Sequence, residues 1–250
     1  FVLQFCYSRS HISDKDNEDT MNLNQQEYYI EQMIVSLRTR LLVMGASVEI
    51  AVDNMHKAVK ELNVGTAQAV IENDDDIDDL ENEIDESSLT LLAKSQPVAK
   101  DLRFVISCLR MVTDMERIGD EAAAICSQVI LMDGADKNQV LGLLGRHLEA
   151  ATTAFANAMN IVRDMDATKA REMNEHTDDD AVQSEVAVMD TLMRRLDKNN
   201  EDHIDPLLAM HLILMTHSLT RIWRRSANMV GHVCFACMGQ SVKHANKKNK

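Results

Sequence analysis

The chain has 250 residues, 45% of them apolar, with eight glycines, two prolines and 4% aromatic residues. That is enough to bury one sizeable core or two modest ones, but too little β-forming and turn material for sheets, so the expected fold class is all-α. A formal charge of −14 and a pI near 5.0 exclude a general nucleic-acid binder. No apolar run reaches the roughly 18 residues of a membrane span; the longest, Leu207 to Met215, is interrupted by His211.

In chain order, Phe1 to Cys6 is apolar but too short for a secretion signal, and a polar stretch from Ser8 to Thr20 follows. Residues 1–29 are expected to form an extension, disordered over 1–20 or partly helical, with Met21 a candidate start of the folded part. Apolar positions then recur at three and four residues from Leu37 to Leu62, the pattern of one long amphipathic helix that Asn63-Val64-Gly65 ends. A second helix is expected from Thr66 to about Ser95, and a third from Pro97 to about Met132 with Pro97 in its first turn. Asp133-Gly134-Ala135-Asp136 is a linker.

Beyond it the same order returns: a helix from about Val140 to Met165, another from Ala167 to Asp197, a polar turn ending at Asp205-Pro206, and a last helix to about Gln240. The segment starting at Val52-Asp53-Asn54-Met55 aligns on Phe155-Ala156-Asn157-Ala158 at a shift of 103, and the third helices align at a shift of 104. The architecture expected is two tandem pseudo-symmetric three-helix bundles, residues 30–135 and 138–240, followed by a basic tail over 241–250. Five cysteines without regular spacing favour a reducing compartment over a disulfide framework.

Charge is distributed unevenly: between Glu72 and Glu86, ten of fifteen residues are acidic. Asp74 and Asp78 form one pair at four-residue spacing and Glu116 and Asp120 another, and the two pairs lie equally far from Pro97. A hairpin at Pro97 brings them to one height. Reflection through the turn near Val64 adds Glu49 and Asp53 to the same level. Carboxylates four apart on a helix repel one another. Three such pairs therefore call for a multivalent cation, and all-oxygen donors suit Mg²⁺, Ca²⁺, Mn²⁺ or oxidised iron better than a closed zinc site.

The repeat replaces every one of these ligands in the second half. Glu49 becomes Thr152, Asp53 becomes Ala156, Asp74 becomes Thr177, Asp78 becomes Ala181, Glu116 becomes Thr220 and Asp120 becomes Arg224. Arg221, Arg224 and Arg225 form a basic counterpart, a candidate for an anion or an acidic partner surface. Glu49, Asp53 and His56 weakly suggest a di-iron motif without the second copy such enzymes need. Cys234 and Cys237 have redox spacing near His232 but read as small buried residues of a helix. His203, His211 and His217 share no helix face. No phosphate-cradling glycine loop, nucleophile elbow or catalytic triad is present, so a non-enzymatic role is expected.

The runs Gln96-Pro97-Val98-Ala99-Lys100-Asp101-Leu102-Arg103 and Asp114-Met115-Glu116-Arg117-Ile118-Gly119-Asp120 resemble the signature of the PhoU family, a likeness extending over residues 30–240. The resemblance implies a cytoplasmic, often dimeric regulator of phosphate uptake that acts with a phosphate ABC transporter and a membrane sensor histidine kinase to hold the phosphate-starvation response off. It also implies iron or zinc clusters on the acidic motifs. The second repeat departs from the family, reading Thr220-Arg221-Ile222-Trp223-Arg224, so the metal role carries over to the first half only. Arg117 is expected to orient carboxylates or pack its stem, and Gly119 to permit close helix approach. A carboxylate-bridged metal hydrolase or oxidase, and a PhoU-like regulatory domain of a sodium-phosphate cotransporter, are the alternatives.

Overall fold

The computed structural model describes the backbone of residues 2–174, 177–197, 200 and 202–239, and side chains from Gln25 onward apart from those of residues 174, 177 and 178. The basic tail lies outside the described residues. Eight helices and no strand occur among them: α1 (Val2–Glu61), α2 (Val64–Glu72), α3 (Asp75–Ser95), α4 (Ala99–Leu131), α5 (Lys137–Asp164), α6 (Ala167–Asn174), α7 (Thr177–Arg195) and α8 (Pro206–Met238). α1 runs back well beyond Leu37 because Ile30, Met33 and Ile34 continue its apolar stripe and pack against the core.

Two expectations need correction. The helix read as continuous from Thr66 to Ser95 breaks between α2 and α3, where Asn73 turns its side-chain amide back to the Ala69 carbonyl (2.7 Å) and Asp75, Asp76 and Asp78 fill the first turn of α3. Asn and Asp compete with the helical ladder, and anions are better placed at a helix N-terminus than in mid-helix. Pro97 lies ahead of α4 rather than in its first turn, because Gln96 caps α3 in the left-handed conformation (φ 45°) and Val98 is extended.

Elsewhere the boundaries follow side-chain chemistry. Asp136 accepts from the Asn138 N–H and starts α5 three residues ahead of the sequence expectation. Asp205 accepts from the N–H groups of Leu207 and Leu208 with Pro206 in the first turn of α8, and Gly239 ends that helix at φ 71°.

α1, α2, α3 and α4 pack as one bundle and α5, α6, α7 and α8 as the second. The bundles join side by side: α4 against α8 is the most extensive helix pair, and α1 also meets α5. One apolar core runs through both, with Met44, Met55, Ile84, Met111, Met115 and Ile118 in the first bundle and Leu144, Leu148, Leu212, Met215, Leu219 and Ile222 in the second.

Candidate functional site

The α2–α3 break puts Asp74 and Asp78 at the start of α3, beside the α4 turn carrying Glu116, Gly119 and Asp120. Gly119 leaves room for this proximity: a Cβ there would stand 3.2 Å from Asp74 Oδ1 and 3.0 Å from Ile77 Cδ1, crowding both side chains. Partial burial raises the Asp74 carboxyl to about 6, helped by the charges of Asp120, Asp78 and Asp75. Burial likewise raises Glu116, to about 7, with added pressure from Asp120, Glu81 and Asp78 and a hydrogen bond shared with Asp120. Asp78 is raised too, by desolvation and by Asp120.

Sequence reasoning missed two members of this group. Glu81 and Asp85 continue the α3 stripe of Asp74 and Asp78 at helical spacing, and both carboxyls are raised, first by burial. For Glu81 the Asp85 and Asp78 charges add to burial, while the Thr113 hydroxyl and the Arg117 guanidinium oppose them. Glu81 and Asp85 are also four apart, but reflection through Pro97 sets them opposite Thr113 and Leu109 rather than a second acidic pair.

Glu49 and Asp53 do not join the level. Arg163 Nη2 of α5 donates to both carboxylate oxygens of Glu49 (2.9 and 3.1 Å), and farther along the same α1 stripe His56 and Lys60 pair with Glu149 of α5 (3.0 and 3.1 Å). Asp53 lies on that stripe, exposed. Reflection through the α1–α2 turn gave the right height and the wrong azimuth: the α1 face toward α2 and α3 is the one bearing Ser47, Ile50 and Asn54. The di-iron reading of His56 ends with its pairing to Glu149.

The basic candidates are also engaged within the chain. Arg221 forms an ion pair with Glu121 (2.8 Å) and Arg225 donates to Asp114 (3.3 Å), both carboxylates on α4, so these arginines join the bundles rather than presenting a free patch. Arg224 likewise has an interaction within the chain. Arg103 lies against the Gly239 turn, its guanidinium carbon 3.7 Å from where a Cβ would be. Cys234 is buried as expected, whereas Cys237 is exposed and directs its thiol to the Met165 carbonyl (3.5 Å). His211 pairs with Gln128 and His217 with Glu185, two separate contacts.

In the second bundle the place of the acidic level holds a neutral network. His147, fully buried, receives the Ser184 hydroxyl at Nδ1 (2.8 Å) and presents Nε2 to the Thr216 carbonyl (3.3 Å) and Thr220 Oγ1 (3.1 Å). Burial lowers its pKa and keeps the ring neutral. Thr220 stands where Glu116 stands in the first bundle, and Ala181, where Asp78 stands, is buried. The Thr177 side chain is outside the described residues.

Among the described residues, no three His, Cys, Asp or Glu side chains are gathered closely enough to hold an ion as they stand. In donor type and electrostatics, however, the α3–α4 level suits a cation, because burial first and crowded like charge second disfavour ionisation of its hard oxygens.

A known domain pattern, the PhoU domain, matches residues 41–129, the segment that carries every residue of the acidic level. A Pseudomonas putida protein named as a phosphate-specific transport system accessory protein PhoU homolog is 30% identical over 215 residues, 85% of this chain and 82% of its own length. The chain belongs to the PhoU family. The Pseudomonas aeruginosa PhoU homolog is 29% identical over 230 residues, covering 91% of this chain and 93% of its own, and Escherichia coli K12 PhoU is 28% identical over 236 residues. The crystal structure of Pseudomonas aeruginosa PhoU superposes with a TM-score of 0.77 at 26% identity, over 84% of this chain and 99% of that one. The PhoU structure from Streptococcus pneumoniae, at 22% identity and a TM-score of 0.74, shares the fold.

Proposed function

We propose that this PhoU-family chain is a non-catalytic, cytoplasmic regulator of a phosphate-specific transport system, acting as a homodimer by protein contact with the ATPase subunit of a phosphate ABC transporter and with a sensor histidine kinase. Support comes from relatives that match most of the chain and are named as accessory proteins of that transport system. No helix among the described residues is long and apolar enough to cross a membrane, so on this reading membrane contact runs through partners.

The second element of the reading is a metal site on Asp74, Asp78, Glu116 and Asp120, with Glu81 beside them. The observation that carries it is the close packing of Asp74 on Gly119 of the Glu116–Asp120 turn, with burial first and neighbouring carboxylates second raising Asp74 to about 6 and Glu116 to about 7. Iron or zinc follows from the family, while oxygen donors equally accept Mg²⁺, Ca²⁺ or Mn²⁺. A bound cation would neutralise the level and tie α3 to α4. These residues would orient it with Gly119 holding the helices close, and Thr220 and Ala181 leave the second bundle without an equivalent.

Elemental analysis of purified protein tests the site. At least one tightly held ion per chain is expected in the wild type and a clear loss in Asp74→Asn/Glu116→Gln; equal metal content in both would remove the proposal. Co-purification with the transporter ATPase, present in the wild type and absent from unrelated helical controls, tests the partner assignment separately.

A further inference from the structure

α4 and α8 are repeat mates and pack antiparallel, as shown by the contacts of Glu121 with Arg221, Asp114 with Arg225, and Arg110 with Phe235. Exchanging the two helices by the 104-residue shift carries Arg221 onto Arg117 and Glu121 onto Arg225. The symmetry mate of the Arg221–Glu121 ion pair is therefore two arginines. Both line the same cavity of about 500 Å³ between the helices, together with Arg110, Thr113, Asn228 and His232.

Asp114, 7% exposed, is the carboxylate in the cleft wall, and it is already in use. Its two oxygens take Arg225 Nη1 and His232 Nε2, each at 3.3 Å, which fixes both groups in the cleft wall. Arg225 Nε is buried with no acceptor. Arg110 rests its guanidinium over the Phe235 ring (5.6 Å), and neither Arg110 nor Arg117 comes within ion-pair distance of a carboxylate among the described residues, although Arg117 acts on Glu81 from farther off. In a chain of net charge −14, three guanidiniums converging on one cavity with a single paired acid are a local reversal of sign.

We propose that the α4–α8 cleft binds a compact, multiply charged oxyanion of the phosphate class, gripped by Arg110, Arg117 and Arg225 and supplemented by Thr113 and Asn228. Guanidinium forks match tetrahedral oxyanions in geometry and charge, and a cavity of this size holds a small ligand. The Asp114 clamp acts as a positioning residue that presents Arg225 already oriented. The cleft adjoins the acidic level at Arg117, which also acts on Glu81, but its lining arginines need no metal to hold an anion.

The test is calorimetric titration of the full chain, freed of metal by chelation, with inorganic phosphate, pyrophosphate and ATP. Saturable binding of at least one is expected: phosphate alone would identify the free ion, and pyrophosphate or ATP alone a phosphoryl group carried by a larger molecule. Arg110→Gln/Arg117→Gln, two exposed positions, should weaken that binding by about tenfold or more. Arg194→Gln, an exposed charge on α7, should leave it unchanged, and circular dichroism should show all variants folded. Three results would each overturn the proposal: no saturable binding up to millimolar ligand by folded wild type, binding that survives the double substitution, or binding that requires added metal and is lost in Asp74→Asn/Glu116→Gln.

Discussion

Asp74 Oδ1 lies over Gly119, 3.2 Å from where an alanine methyl would be, so the first bundle keeps its acidic level by leaving out a side chain. Gly119→Ala has two opposed consequences. Helix propensity improves by about 1 kcal/mol, and crowding of Ile77 and Asp74 costs a similar amount or somewhat more. Stability measured by urea denaturation should therefore change by no more than about 1 kcal/mol. Cation binding, which needs the α3 and α4 carboxylates together, should weaken; affinity equal to wild type by calorimetry would mean that close approach at Gly119 does not matter to the site.

The raised carboxyls set a pH dependence for the metal-free protein. Asp74 moves from 3.8 to about 6 and Glu116 from 4.5 to about 7, so both are easier to ionise in the unfolded chain than in the folded one. Their contribution is fully present below the unfolded values and is lost as pH rises through about 6 to 7. Thermal melts in chelator should accordingly show this component decline between pH 4.5 and 7. Divalent cation should restore it, with release of protons on binding. A metal-free Asp74→Asn/Glu116→Gln variant should lose less stability over this interval than the wild type.

His147 has the opposite sign. Its folded pKa is depressed from 6.5, so its contribution is present above 6.5 and is lost as pH falls below it. Substituting glutamine leaves the Ser184 and Thr220 hydroxyls short of their partner and should cost about 1–3 kcal/mol at neutral pH. The variant should also show a shallower loss of stability between pH 7 and 5. An imidazole NMR titration with an ordinary midpoint would contradict a buried neutral ring.

Helix order, the repeat and the α3–α4 half of the acidic level were legible in the sequence, because four-residue spacing and distance from a turn fix height along a bundle. Azimuth was not. Glu49 stands at the right height but shares an α1 stripe with His56 and Lys60 that faces α5, and which stripe meets which neighbour depends on bundle packing, which reflection through a turn does not encode. The α2–α3 break was readable in principle from Asn73 followed by three aspartates, yet apolar periodicity across it from Val70 to Ile77 concealed it. Arg221 and Arg225 looked unpaired for the same reason as Glu49: their carboxylates, Glu121 and Asp114, lie 100 and 111 residues away.

Those two ion pairs make unequal contributions to the joint between bundles. Asp114 and Arg225 expose only 10% and 21% of their side chains, whereas Arg221 is 56% exposed. Truncating a buried acid leaves its cation desolvated and unpaired, so Asp114→Asn should destabilise the protein by about 3 kcal/mol. The loss at Glu121→Gln should be about 1 kcal/mol, since water can reclaim the Arg221 guanidinium. Salt gives an independent check: screening should erode the Arg221 pair and leave the Asp114 pair nearly intact. Chemical denaturation of both variants at low and high ionic strength measures the difference. Equal losses would show that the cleft around Asp114 is wetter than its burial implies.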